Sequence, residues 1–292
     1  VTLAATGAAE PPGRAAALWR GLPLPARAAG VVILGYVLVA LTAPIWAPHP
    51  AAAVLIGPPF AGPSAAFPFG TDNLGRDVFS RVVLGSRAVL AMAASATALS
   101  VLLGGLVGLL LGYRRGWVDE LAMRAIDILI SIPPLVLALL IISALGNSTV
   151  LVVLTVALLF APRVARTARA ATLAIVTEDY VAAAVTRGEG AWSIALRELL
   201  PNVAGTLLVE FAIRCGFAIV FIGGLGFLGF GAPPPTPEWG LMINEGRASI
   251  SASLWPVMAP AAAMAGLVIA VNLFTDGVAR LIGQPVSRGP RQ

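Results

Sequence analysis

From Ile128 to Pro162 the chain carries no charged side chain. A helix needs about 20 apolar residues to cross the hydrocarbon of a bilayer, so this stretch is too long for one crossing. Gly146-Asn147-Ser148 divides it into a hairpin of two helices. The rest of the 292 residues has the same character, with 58% hydrophobic and only 11% charged side chains. An ordinary soluble domain carries about 25% charged residues. So little polar surface cannot cover a water-facing protein, which excludes a soluble enzyme, a disordered chain and a basic nucleic-acid-binding module. The fold class expected is an all-α integral membrane protein.

Six spans are predicted. The first, 28–46, lies between Arg27 and Pro48-His49-Pro50. It is longer than the roughly 7–15 apolar residues of a signal peptide and starts late, so it is read as a true span. Residues 1–27 precede it, and 47–87 form a loop. The second, Ala88 to Tyr113, carries Gly104, Gly108 and Gly112 at every fourth position. That spacing lines one helix face with hydrogen atoms and lets another backbone approach. The third runs from Ala125 to Leu145, bent at Pro133-Pro134, and the fourth from Thr149 into Arg163, Arg166 and Arg169. Val203 to Phe230 is the fifth and Leu254 to about Phe274 the sixth, with Pro256 and Pro260 bending it. A five-helix core of 88–283 and a tail of 284–292 complete the division.

The 19 basic residues are all arginine. With the N-terminus inside, fourteen of them fall on cytoplasmic segments and four on outer ones, Arg214 being intramembrane. Positive residues stay inside, so both termini are expected in the cytoplasm, with His49 and Trp239 outside. Cys215 is the one cysteine, so neither an internal disulfide nor a cysteine metal cluster can form, and no metal site is expected.

The longest hydrophilic cytoplasmic segment, about 163–202, holds the candidate site. Glu178 and Asp179 suit a helix N-terminus, where acids meet the positive end of the dipole. Tyr180/Ala184 and Val181/Val185 give that helix an apolar side. Ala183 and Ala184 offer a small surface able to enter a partner's groove. Gly188 permits a chain reversal at positive φ, and Leu200-Pro201-Asn202 mark the return into the membrane. On these residues alone, a helix resting on the lipid surface is an equal reading.

Ala182-Ala183-Ala184-x3-Gly188 followed by Leu200-Pro201 resembles the EAA loop of permease subunits of bacterial ABC importers. Three further stretches resemble the C-type subunit of the dipeptide/oligopeptide permease family. They are Phe69-Gly70-Thr71-Asp72-Asn73-Leu74-Gly75-Arg76-Asp77-Val78-Phe79-Ser80-Arg81, Gly112-Tyr113-Arg114-Arg115-Gly116-Trp117-Val118-Asp119, and Leu225-Gly226-Phe227-Leu228-Gly229 with Pro234-Pro235-Thr236-Pro237-Glu238-Trp239-Gly240. The acidic position of the family's EAA motif falls on Ala182.

The resemblance implies a type I importer permease with the MetI-like fold in a bacterial inner membrane. It implies a second homologous permease subunit, two cytoplasmic ATPases, and an extracytoplasmic substrate-binding protein delivering di- or oligopeptides or a related small solute. Glu178, Asp179, Tyr180, Ala183, Ala184, Gly188, Leu200, Pro201 and Asn202 would then couple ATPase closure to the spans. A chain without lysine has no Gly-x4-Gly-Lys loop, so ATP and magnesium are assigned to the partners, with no cofactor here and no catalytic residue.

Glu210 and Arg214, four apart, read as a self-neutralised pair at a subunit interface or as a contact in the pathway. Asp127 is expected to be held by Arg124 or a loop arginine, and Asp72, Arg76 and Asp77 to pair locally on the outer, binding-protein side, where Trp239 also falls. The competing class is a secondary transporter or channel without a separate ATPase. That class favours repeated halves and midplane carboxylates, and most acids here lie in loops.

Overall fold

The computed structural model describes residues 19–283. The expectations for residues 1–18 and for the 284–292 tail lie outside the described residues. Within them, regular structure is helical apart from one isolated antiparallel bridge between Thr71 and Asp77. The main helices are α1 (Leu24–Leu41), α2 (Val78–Arg114), α3 (Trp117–Ser131), α4 (Pro134–Leu145), α5 (Thr149–Ile175), α6 (Asp179–Thr186), α7 (Leu200–Phe227), α8 (Trp239–Arg247) and α9 (Trp255–Gly283). Among the described residues, five helices are long and apolar enough to cross a membrane, six if α3 and α4 count as one span.

The glycine face of α2 makes the broadest helix–helix contact in the molecule, against α5. A methyl group on Gly104 would strike the carbonyl oxygen of Ala161, and one on Gly108 that of Ala165. A methyl on Gly112 would meet Thr172. The expected packing device is therefore present, and its partner is this chain's own α5. Around it lies a core of Met92, Ala93 and Ala96 from α2, Val152, Val156 and Phe160 from α5, Ile219 and Ile222 from α7, and Leu267 from α9.

The helix ends shift by a few residues from the sequence reading, and further for α9, which runs on to Gly283, and two places depart for a clear physical reason. Helix α2 starts at Val78, ten residues before the predicted span, because the Asp77 side chain accepts from the Phe79 and Ser80 amides. Arg81 and Arg87 interrupt the apolar run without interrupting the helix. The predicted third span is two helices that meet at 86°. Pro133 and Pro134 remove successive amide donors there, and Pro133 and Ile132 take extended backbone. Pro260, by contrast, is absorbed within α9.

Candidate functional site

Helix α6 and its exit form an elbow at one end of the bundle. Val181 and Ala184, three residues apart, face inward and pack with Leu109, Val164, Ala168, Ile194, Leu199 and Val203. Ala184 is 0% exposed. The expectation that it offers a surface to a partner is corrected: it is sealed within this chain. The outward face carries Asp179, Ala182, Ala183, Val185 and Thr186. Val185 is 52% exposed, and beyond the elbow Trp192 is 56% exposed. The sequence reading put Val185 on the same apolar side as Val181 and passed over Trp192, an exposed aromatic within the same loop.

The elbow ends α6 by paired backbone bonds. The Gly188 amide donates to Val185 and the Glu189 amide reaches back to Ala184. Gly188 has a φ of 76°, the left-handed conformation expected from the sequence. This is a Schellman arrangement, in which glycine satisfies the last carbonyls while turning the chain. Arg187 then ties the turn together. Its Nη2 donates to Glu189 at 2.7 Å and to Glu198 at 3.3 Å, while the Ser193 hydroxyl donates to Glu189 at 2.9 Å. Hydrogen bonds from Arg187 and then Ser193 hold the Glu189 carboxyl below its ordinary range.

A π-helical turn, Ile194–Leu199, leads into α7. The widened turn precedes Pro201, whose ring would crowd the Arg197 carbonyl in a regular helix. Pro201 and Asn202 are exposed, Leu200 is half-buried, and the Asn202 amide donates to the Glu198 carbonyl. Glu178 caps α6 by its backbone alone, without a side-chain bond. The Tyr180 hydroxyl is buried with no hydrogen-bond partner among the described residues, and burial, with Glu178 and Glu198 nearby, pushes it up.

Midway along the bundle, Glu210 is buried between two donors. Thr167 donates its hydroxyl to Oε1 at 2.8 Å, and Arg214 donates Nε to Oε2 at 2.9 Å. The sequence pair is therefore real and joined to α5. Asp127 pairs with Arg166 rather than Arg124, which instead bonds Glu120. Asp119 receives a two-point clamp from Arg169 at 2.5 Å, tying α3 to α5.

At the opposite end, Asp72, Arg76 and Asp77 are all buried. Asp72 accepts from Arg76 Nε and Arg81 Nη1, each at 2.6 Å, and both arginines reach Glu245 of α8 at 2.8 Å. Asp77 caps α2 and receives the Ser80 hydroxyl, with His49 at 3.4 Å. Trp239, placed by sequence on the outer side as a partner contact, is 1% exposed. Its indole donates to the Val82 carbonyl at 2.9 Å and its ring meets Tyr36 edge-on. These four residues hold the fold at that end and offer no surface. Sequence missed Arg81 and Glu245, which complete their network, and Glu238, whose carboxylate caps α8 through the Gly240 and Leu241 amides.

A family model described as the binding-protein-dependent transport system inner membrane component matches residues 104–288. A glutathione transport system permease protein, GsiD, from Pectobacterium atrosepticum is 37% identical over 217 residues, covering 74% of this chain and 72% of that protein. GsiD from Escherichia coli O157:H7 matches at the same identity and coverage. A chain of the MetNI methionine ABC transporter in inward-facing conformations superposes with a TM-score of 0.57. That chain is 19% identical, and the match covers 70% of this chain and 97% of that one, a likeness of fold.

Proposed function

The chain belongs to the family of binding-protein-dependent transport system inner membrane components, multi-pass permease subunits of ABC importers, and from that premise we propose that its elbow transmits the work of separate ATPases to a peptide pathway. The observation that carries the reading is the outward face of α6. Ala182 and Ala183 are small and exposed, Val185 is apolar, and Gly188 returns the chain at once toward α7. A helix held from behind by Val181 and Ala184 moves with α5 and α7 when it is pushed.

In this reading two cytoplasmic ATPases bind ATP and magnesium, the chain itself holding no cofactor. A second homologous permease subunit completes the pathway, and a substrate-binding protein delivers the cargo from outside. The similarity to GsiD supports a di- or oligopeptide or glutathione-like cargo. Arginine distribution supports cytoplasmic termini, with the elbow on the same side.

Co-expression with the ATPases tests the elbow. Ala183→Arg is expected to leave the permease folded and to weaken ATPase capture at least tenfold. Undiminished capture and transport would refute the coupling role. Orientation is checked in a Cys215→Ser background with an impermeant thiol reagent. Position 55, where Leu55 is exposed and φ is 57°, is expected to label as cysteine from outside intact cells, and position 187 is not.

A further inference from the structure

A second feature lies away from both ends. Pro134, Phe160, Arg163, Arg214 and Phe221 line an open cavity of about 290 Å³ between α4, α5 and α7, with the exposed Phe217 and Val220 at its mouth. Its charge is one-sided. Arg214 spends its Nε on Glu210, leaving its two Nη groups without a protein partner among the described residues. Arg163 makes no ion pair among them either, and it shares the cavity wall with Arg214. Arg166 is occupied by Asp127. The guanidinium of Arg214 stands 6.0 Å from the centre of the Phe217 ring.

Two arginines with free donors beside an apolar wall are costly unless they face water or meet an anion. Guanidinium forks match carboxylates by two parallel hydrogen bonds, and this match is worth more where water is scarce. The remaining wall, Phe160, Phe217, Phe221 and Val220, suits an apolar group next to that carboxylate. At about 290 Å³ the cavity lies at the small end of the roughly 300–1,000 Å³ of small-molecule sites. It takes the end of a small molecule rather than a long chain.

The geometry points to a cargo subsite in which Arg163 and Arg214 grip the carboxylate of a small peptide-like acid while the three phenylalanines hold its apolar side. This rests on the transport reading above and names a chemical requirement for the cargo within the permease itself. Glu210 is then a positioning residue. It holds Arg214 by Nε, turns the Nη groups toward the cavity, and is itself fixed by Thr167.

The test uses the assembled complex in nanodiscs, with N-acetylphenylalanine as the probe and its uncharged amide as control. Phenylglyoxal modification mapped by mass spectrometry reports each arginine separately. The expected result is that the acid slows modification of Arg163 and Arg214 at least fivefold and the amide does not. Exposed Arg124 should react equally throughout. In Arg163→Gln, protection of Arg214 should require at least tenfold more acid, and in Glu210→Gln Arg214 should lose selectivity for the acid. Equal protection by acid and amide, or none by either, overturns the proposal. So does an Arg163 that is unreactive before any probe is added, which would assign it to the subunit interface. Failure of the ATPases to copurify would instead sink the transport reading, and the protection pattern is read independently of that result.

Discussion

The two ends of the bundle are built on opposite plans. Where α2 begins, the preceding loop and α8 close on one another through Asp72, Arg76, Arg81 and Glu245, with two acids, two bases and little water. Where α2 ends, α6 is gripped on one side only, and Val185 and Trp192 stand in the open. The first end satisfies its own polar groups. The second spends its apolar contacts on one face and leaves the other exposed, which is the arrangement the proposed docking requires.

The contrast is most easily broken by removing one charge at each end. Asp72→Asn strips the shared carboxylate from two buried arginines, and breaking a buried pair this way costs about 3–5 kcal/mol. Arg187→Gln removes the arginine of the elbow, which is half-exposed, and such surface changes stay within about 0.5 kcal/mol. Thermal unfolding of the purified subunit should show a large fall for the first and almost none for the second. Comparable losses would mean that the elbow is as closed as the other end.

Burial at the closed end also makes it sensitive to pH. Glu238 is fully buried, and loss of water pushes its carboxyl up to about 7 despite two amide donors that favour the ionised form. Because the folded value lies above the ordinary 4.5, stability is fully present below about pH 4.5 and falls as pH rises through about 7. The range corresponds to about 3 kcal/mol. Melting temperatures between pH 5 and pH 8 should fall more for the native chain than for Glu238→Gln. Identical slopes would show that the carboxyl is not deprived of water.

What the sequence revealed follows the same division between local and distant causes. The spans were legible because charge-free runs are a property of composition, and Gly188 because a reversal is a property of a few consecutive residues. The glycine face of α2 was visible in its four-residue spacing, but not that α5 fills it. Which side of α6 faces inward was not legible. The apolar side of this eight-residue helix is broad, with Tyr180, Val181, Ala184 and Val185, and contacts with Ile194, Leu199 and Val203 choose Val181 and Ala184 within it. Trp239 misled for a related reason. A tryptophan beyond a span reads as an interfacial anchor, and only the carbonyl of Val82, far away in sequence, explains its burial. Tandem prolines were read as a bend, whereas two missing amides in succession end the helix.

Adjacent alanines sharpen the distinction within the elbow itself. Ala184→Leu forces three extra carbons into a filled site, and such overpacking costs about 1–3 kcal/mol. Ala183→Leu points outward and should leave stability unchanged while weakening ATPase capture. Unfolding and pull-down on the same two variants therefore separate the face that holds α6 from the face proposed to dock. If Ala184→Leu melts like the native chain and loses the ATPase, the two faces have been assigned the wrong way round.

At Gly188 the expected loss is purely one of backbone. A side chain there would meet nothing within 4 Å, so crowding plays no part. The φ of 76° is the whole cause, and an ordinary L-residue in that conformation costs on the order of 1–2 kcal/mol. Asparagine enters the left-handed region more readily than other residues, whereas a β-branched side chain resists it most. Stability should therefore fall in the order Gly188, Gly188→Asn, Gly188→Ala, Gly188→Val, with hydrogen exchange rising first at the Gly188 and Glu189 amides that close the elbow. Because α6 stays anchored by Val181 and Ala184, ATPase capture should decline in the same order without vanishing. A valine variant as stable and as well coupled as the asparagine one would mean that the elbow opens without cost, and would remove the rigidity on which the proposed coupling depends.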